Sequence, residues 1–188
     1  MLPLQLLTPR LLLTPPTLAD APAMIELAND PVVEEMTLSF PYPYGEADAL
    51  AFLHGANVHR KAGTAFQYAI KLRDTDGFVG SIGLHIDDRY GYGEIGYWMG
   101  APYRGRGFVT EAVGALLDAA FAHTSLVRIQ AMTRQHNVAS ARVLLKSGFR
   151  HEAVLEDHTV KNGEVQTVIQ FRILRREWEE SSVRKKGS

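Results

Sequence analysis

Arg104-Gly105-Arg106-Gly107 is the part of this sequence whose residue types and spacing most directly imply chemistry. Glycines at the mouth of a helix let free backbone N–H groups come close to an anion, and arginines beside them add charge. Ahead of the turn, Glu94-Ile-Gly-Tyr-Trp-Met reads as a strand, closed by Gly100-Ala101-Pro102 because proline cannot donate into a ladder. Behind it, apolar residues recur at Phe108, Val109, Ala112, Val113, Leu116, Leu117, Ala120 and Phe121, which is helical spacing. A strand, a bare turn and a helix in that order are suited to a phosphate or pyrophosphate, hence to a nucleotide-like cofactor. The plainer alternative is a surface turn with glycines for geometry and arginines for solubility. A dinucleotide fingerprint beginning at Gly105 would need glycine at 110, where Thr110 stands, and Gly-Lys-Ser/Thr occurs nowhere in the chain.

Arg104-x-x-Gly107-x-Val109 resembles the (Gln/Arg)-x-x-Gly-x-(Gly/Ala) pyrophosphate loop of the GNAT superfamily of N-acetyltransferases, with Val109 in place of the usual small residue. Thr8-Pro-Arg-Leu-Leu-Leu, Leu18-Ala-Asp-Ala, Asn29-Asp-Pro, Phe40-Pro-Tyr-Pro and Asn137-x-x-Ser140…Lys146-Ser-Gly148-Phe149 follow the order seen in its RimJ/RimL-like branch. That branch contains the ribosomal-protein N-terminal acetyltransferases and many relatives acting on small amines. The resemblance spans roughly residues 8 to 175. It implies an acetyltransferase using acetyl-CoA as co-substrate, a mixed and mostly antiparallel central sheet with helices on both faces, and an amine acceptor, either a small molecule or a protein N-terminus. It also implies that Arg104, Gly105, Arg106, Gly107, Phe108, Val109 and Thr110 hold the pyrophosphate. Further cofactor contacts fall to Asn137 and Lys146, and to Trp98 and Met99 on a bulged strand that diverges from its neighbour.

Acetyl transfer to an amine needs a base for the ammonium, a donor for the oxyanion and a proton for the departing thiolate. No enzyme nucleophile is needed when both substrates are held together. The Met99 amide is the candidate oxyanion donor. Many members of the superfamily carry a tyrosine acid at the position of Leu144, so its absence raises Ser140 as the acid, with Asn137 beside it. Asn137 is equally explained as a helix cap. Glu94 is the first candidate base, His85 the second, and a water chain the third; a cross-strand ion pair is the plain alternative for Glu94, an edge histidine for His85, and a core position for Trp98. The acceptor is expected opposite CoA, between an early helical loop and the last hairpin, with Glu35, Phe40, Tyr42 and His85 as its contacts. A non-catalytic acyl-CoA-binding module is the rival reading, resting on Val109 and Leu144.

The elements that must position these residues alternate strand and helix. Strands are expected at Arg10–Thr14, Ala65–Leu72, Phe78–Ile86, Tyr92–Met99 and Leu126–Thr133, then as a hairpin across Lys161-Asn-Gly-Glu164, since Asn-Gly between alternating runs is a strong turn signal. Helices are expected from Thr17 or Asp20 to Ala28, after Pro31, at Glu46–Lys61, after Gly107 and at Val138–Lys146, the last stopped by Gly148. One α/β domain over residues 8–178 results, with 179–188 as a frayed tail.

A formal net charge of −1, from 20 basic and 21 acidic side chains, gives no field for nucleic acid or an anionic membrane. No apolar run suits a membrane span, and the start lacks a secretory pattern. The absence of cysteine removes disulfides and any cysteine-linked acyl intermediate, and a cytoplasmic location is expected. The histidines lack metal-binding spacing, so no metal site is expected. Gly80-Ser-Ile-Gly83 is no nucleophile elbow. A homodimer is compatible with all of this.

Overall fold

The computed structural model describes residues 1–38 and 40–186, with side chains as far as residue 181. Its strands are β1 (Leu6–Leu7), β2 (Leu11–Thr14), β3 (Ala65–Leu72), β4 (Phe78–Asp87), β5 (Tyr92–Met99), β6 (Arg128–Arg134), β7 (Arg150–Lys161) and β8 (Glu164–Leu174). Its helices are α1 (Ala21–Ala28), α2 (Pro31–Met36), α3 (Glu46–Ala62), α4 (Phe108–His123), α5 (Val138–Lys146) and α6 (Arg175–Lys186). The strands form one sheet in the order β1-β2-β3-β4-β5-β6-β8-β7. β5 and β6 pair parallel, and the other described neighbours pair antiparallel.

The decisive irregularity is in that parallel pair. β5 and β6 are in register only over Tyr92–Glu94 and Arg128–Gln130. Beyond Glu94 they part, β5 staying on β4 to Met99 while β6 stays on β8 to Arg134. The divergence implied by the resemblance is present. The bulge is not, because β4 and β5 pair from Tyr92 to Met99 without a register shift. The break comes instead from β6 following β8.

Side chains of alternate parity fill the two faces. One face holds Leu11, Leu13, Phe66, Tyr68, Ile70, Val79, Ile82, Leu84 and Ile95 under α4, which buries Leu116, Leu117, Ala120 and Phe121 there. Each large apolar side chain so buried contributes about 1.5–3 kcal/mol. Met24, Tyr44, Leu53, Ala69 and Phe78 form the cluster under α1 and α3 on the opposite face.

Local rules explain the ends of these elements. Gly107 caps α4 at φ 79°, and Gly148 ends α5 at φ 92°, where the Phe149 amide reaches back to the Leu144 carbonyl at 3.0 Å. Asn162 and Gly163, at φ 52° and 80°, make the left-handed turn between β7 and β8. The C-terminal stretch expected as a frayed tail continues a helix as far as Lys186; residues 187–188 lie outside the described residues. Its root is anchored. Arg175 donates to the Phe121, Thr124 and Leu126 carbonyls, and the Trp178 indole donates to Asp118 at 2.9 Å while its ring lies 5.3 Å from Phe121.

Candidate active site

A cleft of about 990 Å³ runs through the sheet where β5 and β6 separate, lined from one face by Glu94, Gly96 and Trp98 and from the other by Tyr97, Val109 and Ser140. The Gly100 amide bonds the Val79 carbonyl, so alternation along β5 turns the Tyr97 and Met99 backbone groups away from β4, toward the gap left by β6. The Met99 carbonyl is taken by Arg104, and the Tyr97 groups and the Met99 amide are what an extended polar ligand needs to lie along the strand.

The glycine turn closes one end. Gly105 and Gly107 sit at φ 72° and 79°, a region that costs other residues roughly 1–3 kcal/mol. A Cβ at Gly105 would meet nothing within 4 Å, so the turn presents bare backbone before the free amides at the start of α4. Val109 packs against the main apolar cluster while lining the cleft, which leaves those amides accessible. Phe108 is core, 5% exposed, with the Arg10 and Arg106 guanidinium groups over its ring at 4.6 and 5.2 Å. Arg106 lies outside the cleft lining, whereas Thr110 and Lys146 are in it.

Arg104 does structural work. Its Nε donates to the Met99 carbonyl at 2.9 Å and its terminal nitrogen pairs with Asp30 at 2.7 Å, tying the turn to β5 and α2. The Thr8–Arg10 segment explains its own place in the motif order. Arg10 donates to the Arg106 carbonyl at 3.0 Å and to Glu111 at 2.7 Å, and Thr8 donates to Glu111 at 2.5 Å. Burial pushes the Glu111 carboxyl up, but these bonds outweigh it and hold it below its ordinary value.

On α5 the Asn137 side chain accepts from the Ser140 amide at 3.0 Å, as an N-cap, and donates to the Met36 carbonyl at 3.2 Å. Both its functions are thus engaged in structure. Ser140 is different: its hydroxyl lies 2.8 Å from the Tyr97 hydroxyl, which crosses the gap from β5. Burial pushes the Tyr97 phenol up to about 12 despite that bond. Leu144 is fully buried. A tyrosine hydroxyl therefore reaches this corner from the strand, not from the helix.

Glu94 and His85 are cross-strand partners. Glu94 accepts from Gln130 at 2.9 Å, not from a lysine or arginine, and His85 lies 3.2 Å from the Gln67 amide nitrogen. Phe40 also lines the cleft, 5.5 Å from the Trp98 ring and 4.7 Å from Tyr44. Glu35 and Tyr42 are outside the lining, Glu35 standing 3.5 Å from His136. The expected acceptor entrance between α2 and the last hairpin is bridged. Lys161 bonds the Glu34 and Thr37 carbonyls and pairs with Glu34 at 2.9 Å, Asn162 donates to Glu34, and Arg134 donates to the Glu35 carbonyl. The hydrogen bond from Lys161 holds the Glu34 carboxyl below its ordinary value.

Sequence reasoning did not single out Phe52 on α3, Gln67 on β3 or Arg142, one helical turn before Lys146 on α5, all of which line the cleft. Nor did it give the Tyr97 hydroxyl a part. Arg142 was legible, since i and i+4 share a helix face; Phe52 and Gln67 depend on tertiary register.

A sequence model described as the acetyltransferase (GNAT) domain matches residues 10–150. An uncharacterized N-acetyltransferase of Bacillus licheniformis, p20, is 32% identical over 174 residues, covering 92% of this chain and 97% of that protein. RimJ of Mycobacterium smegmatis, solved in complex with CoA-disulfide, is 26% identical with a TM-score of 0.78, over 89% of this chain and 83% of that one. The microcin C7 self-immunity acetyltransferase MccE, solved with acetyl-CoA and AMP, has a TM-score of 0.81 over 89% of this chain and 93% of that one; at 22% identity it is a likeness of fold.

Proposed function

Because this chain belongs to the GNAT acetyltransferase family it is an acetyl-CoA-dependent acyltransferase, and we propose that it acetylates a primary amine by direct attack in a ternary complex. The observation that carries this reading is the window in the sheet, with Ser140 and Tyr97 on one face and Glu94 on the other.

Acetyl-CoA supplies the thioester carbonyl carbon: the amine nitrogen bonds to it, the carbon–sulfur bond breaks, and CoA leaves as the thiol. The glycine turn and the first amides of α4 suit its pyrophosphate, Arg142 and Lys146 add charge at the mouth, and the Tyr97 backbone groups suit its pantetheine arm. Glu94 takes the proton that the ammonium must lose before attack. Gln130 orients that carboxylate without neutralising it, because an amide carries no charge. The Met99 amide donates to the oxyanion. Ser140 delivers a proton to the leaving sulfur and is refilled by the proton that the nitrogen sheds on becoming an amide. Tyr97, kept protonated by burial, donates to the Ser140 oxygen and leaves the serine proton free to point into the cleft.

The rival non-catalytic reading loses its two supports, since Val109 packs into the apolar cluster and Tyr97 supplies the hydroxyl that Leu144 lacks. The test is release of CoA thiol from acetyl-CoA on adding amines, together with a thermal-shift titration of acetyl-CoA. Amine-dependent thiol release and stabilisation by acetyl-CoA are expected. Gly107→Val should lose most of that stabilisation, because a β-branched residue is strained at φ 79° and its Cβ would stand 3.5 Å from the Arg10 guanidinium, disturbing the turn. Equal acetyl-CoA shifts in parent and Gly107→Val would remove the turn from the binding site.

A further inference from the structure

Resting on the reading of the cleft as an acetyl-transfer site, we propose that the acceptor is a monoamine with an apolar, preferably aromatic, body and no carboxylate beside the amine. The space it fills lies in front of Gly96. A Cβ built there would meet nothing within 4 Å, and the alternation of β5 puts Glu94 on one side of that space and Trp98 on the other. Toward β4 the floor is shut. A Cβ at Gly83, the partner of Gly96, would come 2.0 Å from the Gln67 side chain, which covers that glycine. The amine therefore sits between a carboxylate and an indole.

Much of the remaining wall is apolar. Phe40, Phe52, Val33 and Met36 line the acceptor half, with Tyr44 behind Phe40. Tyr44 offers its ring only, because its hydroxyl is turned to the Met24 sulfur and burial pushes the phenol up to about 12. Indole and phenyl faces suit both an aromatic body and the cation attached to it.

Charge narrows the class further. Of the carboxylates lining the acceptor half among the described residues, Glu94 stands beside the open space at Gly96, while Asp48 lies at the start of α3 with one oxygen accepting from the Gly45 amide at 2.9 Å. A polyamine or aminoglycoside would bring more ammonium groups than the one carboxylate beside that space can match. An amino acid would bring a carboxylate, yet the lining cations stand elsewhere: Arg104 is paired with Asp30, and Arg142 and Lys146 lie on α5 across the sheet. Lys161 and Arg134 are held by α2 and Gln166. The lining histidines are also engaged, His85 with Gln67 and His59 with Thr64. Burying an unmatched carboxylate here is costly.

The test compares kcat/KM for phenethylamine, phenylalanine, spermidine and kanamycin with the full chain and saturating acetyl-CoA, followed by CoA thiol release. Phenethylamine and phenylalanine share a body and differ by the carboxylate, so the former should lead by about tenfold or more, the scale on which a site rejects an unmatched polar group. Trp98→Leu should narrow the lead of phenethylamine over ethylamine. Faster turnover of phenylalanine, spermidine or kanamycin than of phenethylamine overturns the acceptor class and leaves acetyl transfer standing. Absence of thiol release with every amine overturns both.

Discussion

The two halves of the cleft are built on different principles. The half proposed for the cofactor comes from two nearly continuous stretches, residues 95–110 and 137–146, and its groups are mostly main chain: the turn at Gly105 and Gly107, the first amides of α4, and the Tyr97 groups and Met99 amide facing the gap. The half proposed for the acceptor is assembled from α2, the loop before α3, α3 itself, β3, β4 and β5, and the groups it presents are side chains. A site made of backbone tolerates exchange of most side chains, provided glycine stays where φ is positive. A site made of side chains changes with any one of them. The first half is therefore suited to a ligand shared by a family, and the second to a ligand particular to this protein.

Glu94→Gln should produce the largest loss and sharpen the comparison most, because it removes the proposed base and leaves the glycine-turn half intact. Turnover near neutral pH should fall by about 10²–10³-fold, within the usual range for one acid–base group. The loss should shrink as pH rises and free amine becomes abundant, while stabilisation by acetyl-CoA stays as in the parent. Overlaying pH–rate profiles would make Glu94 structural and bring forward His85 or a water chain.

The Ser140–Tyr97 pair tests whether the cofactor half works by side chain as well as by main chain. Ser140→Ala should lower turnover by about 10- to 100-fold, since a water can partly replace one donor. Tyr97→Phe should cost less, and the double variant should be no slower than Ser140→Ala, because residues that act as a unit are not additive. Additive losses would separate the two hydroxyls. The phenol pushed up to about 12 also predicts a stability effect of known sign: it favours folding below the ordinary tyrosine value of 10.0 and is lost as pH climbs from there through 12. Alkaline unfolding followed in parent and Tyr97→Phe measures that difference.

The smallest effect is expected at the bridge over the acceptor half. Lys161→Met removes the ammonium that holds α2 to the β7–β8 turn, and should raise the amine KM by about three- to tenfold, the size of a partly exposed ion pair worth roughly 1 kcal/mol. The acetyl-CoA shift should not move. Since Glu34 is held below its ordinary value of 4.5, the bridge persists above that pH and loosens as pH falls through the lower folded value. An unchanged amine KM in Lys161→Met would mean that α2 does not shape the acceptor half.

Much of the molecule could be read along the chain. β5 and α5 fall on their expected residues, and the turns at Gly107, Gly148 and Asn162-Gly163 have the left-handed geometry that their glycines and asparagine imply. Other features were hidden. β1 is two residues long and exists through pairing with β2, and α6 has no apolar stripe to betray it, being anchored by Arg175 and Trp178 on α4. Arg104 had the composition of a phosphate ligand, but an arginine beside Asp30 and a strand-end carbonyl satisfies those neighbours first.

The sequence by itself determined where the backbone turns, which helix opens on the phosphate-suited turn, and that no cysteine takes part, since each depends on residue types within a few positions. Tertiary structure alone decided that Tyr97 meets Ser140, that Gln130 and not a cation holds Glu94, and that Phe40 faces the cleft while Tyr42 does not. The physical reason is register. Strand alternation sends neighbouring side chains to opposite faces, and the point at which β6 leaves β5 for β8 fixes which of them look into the gap.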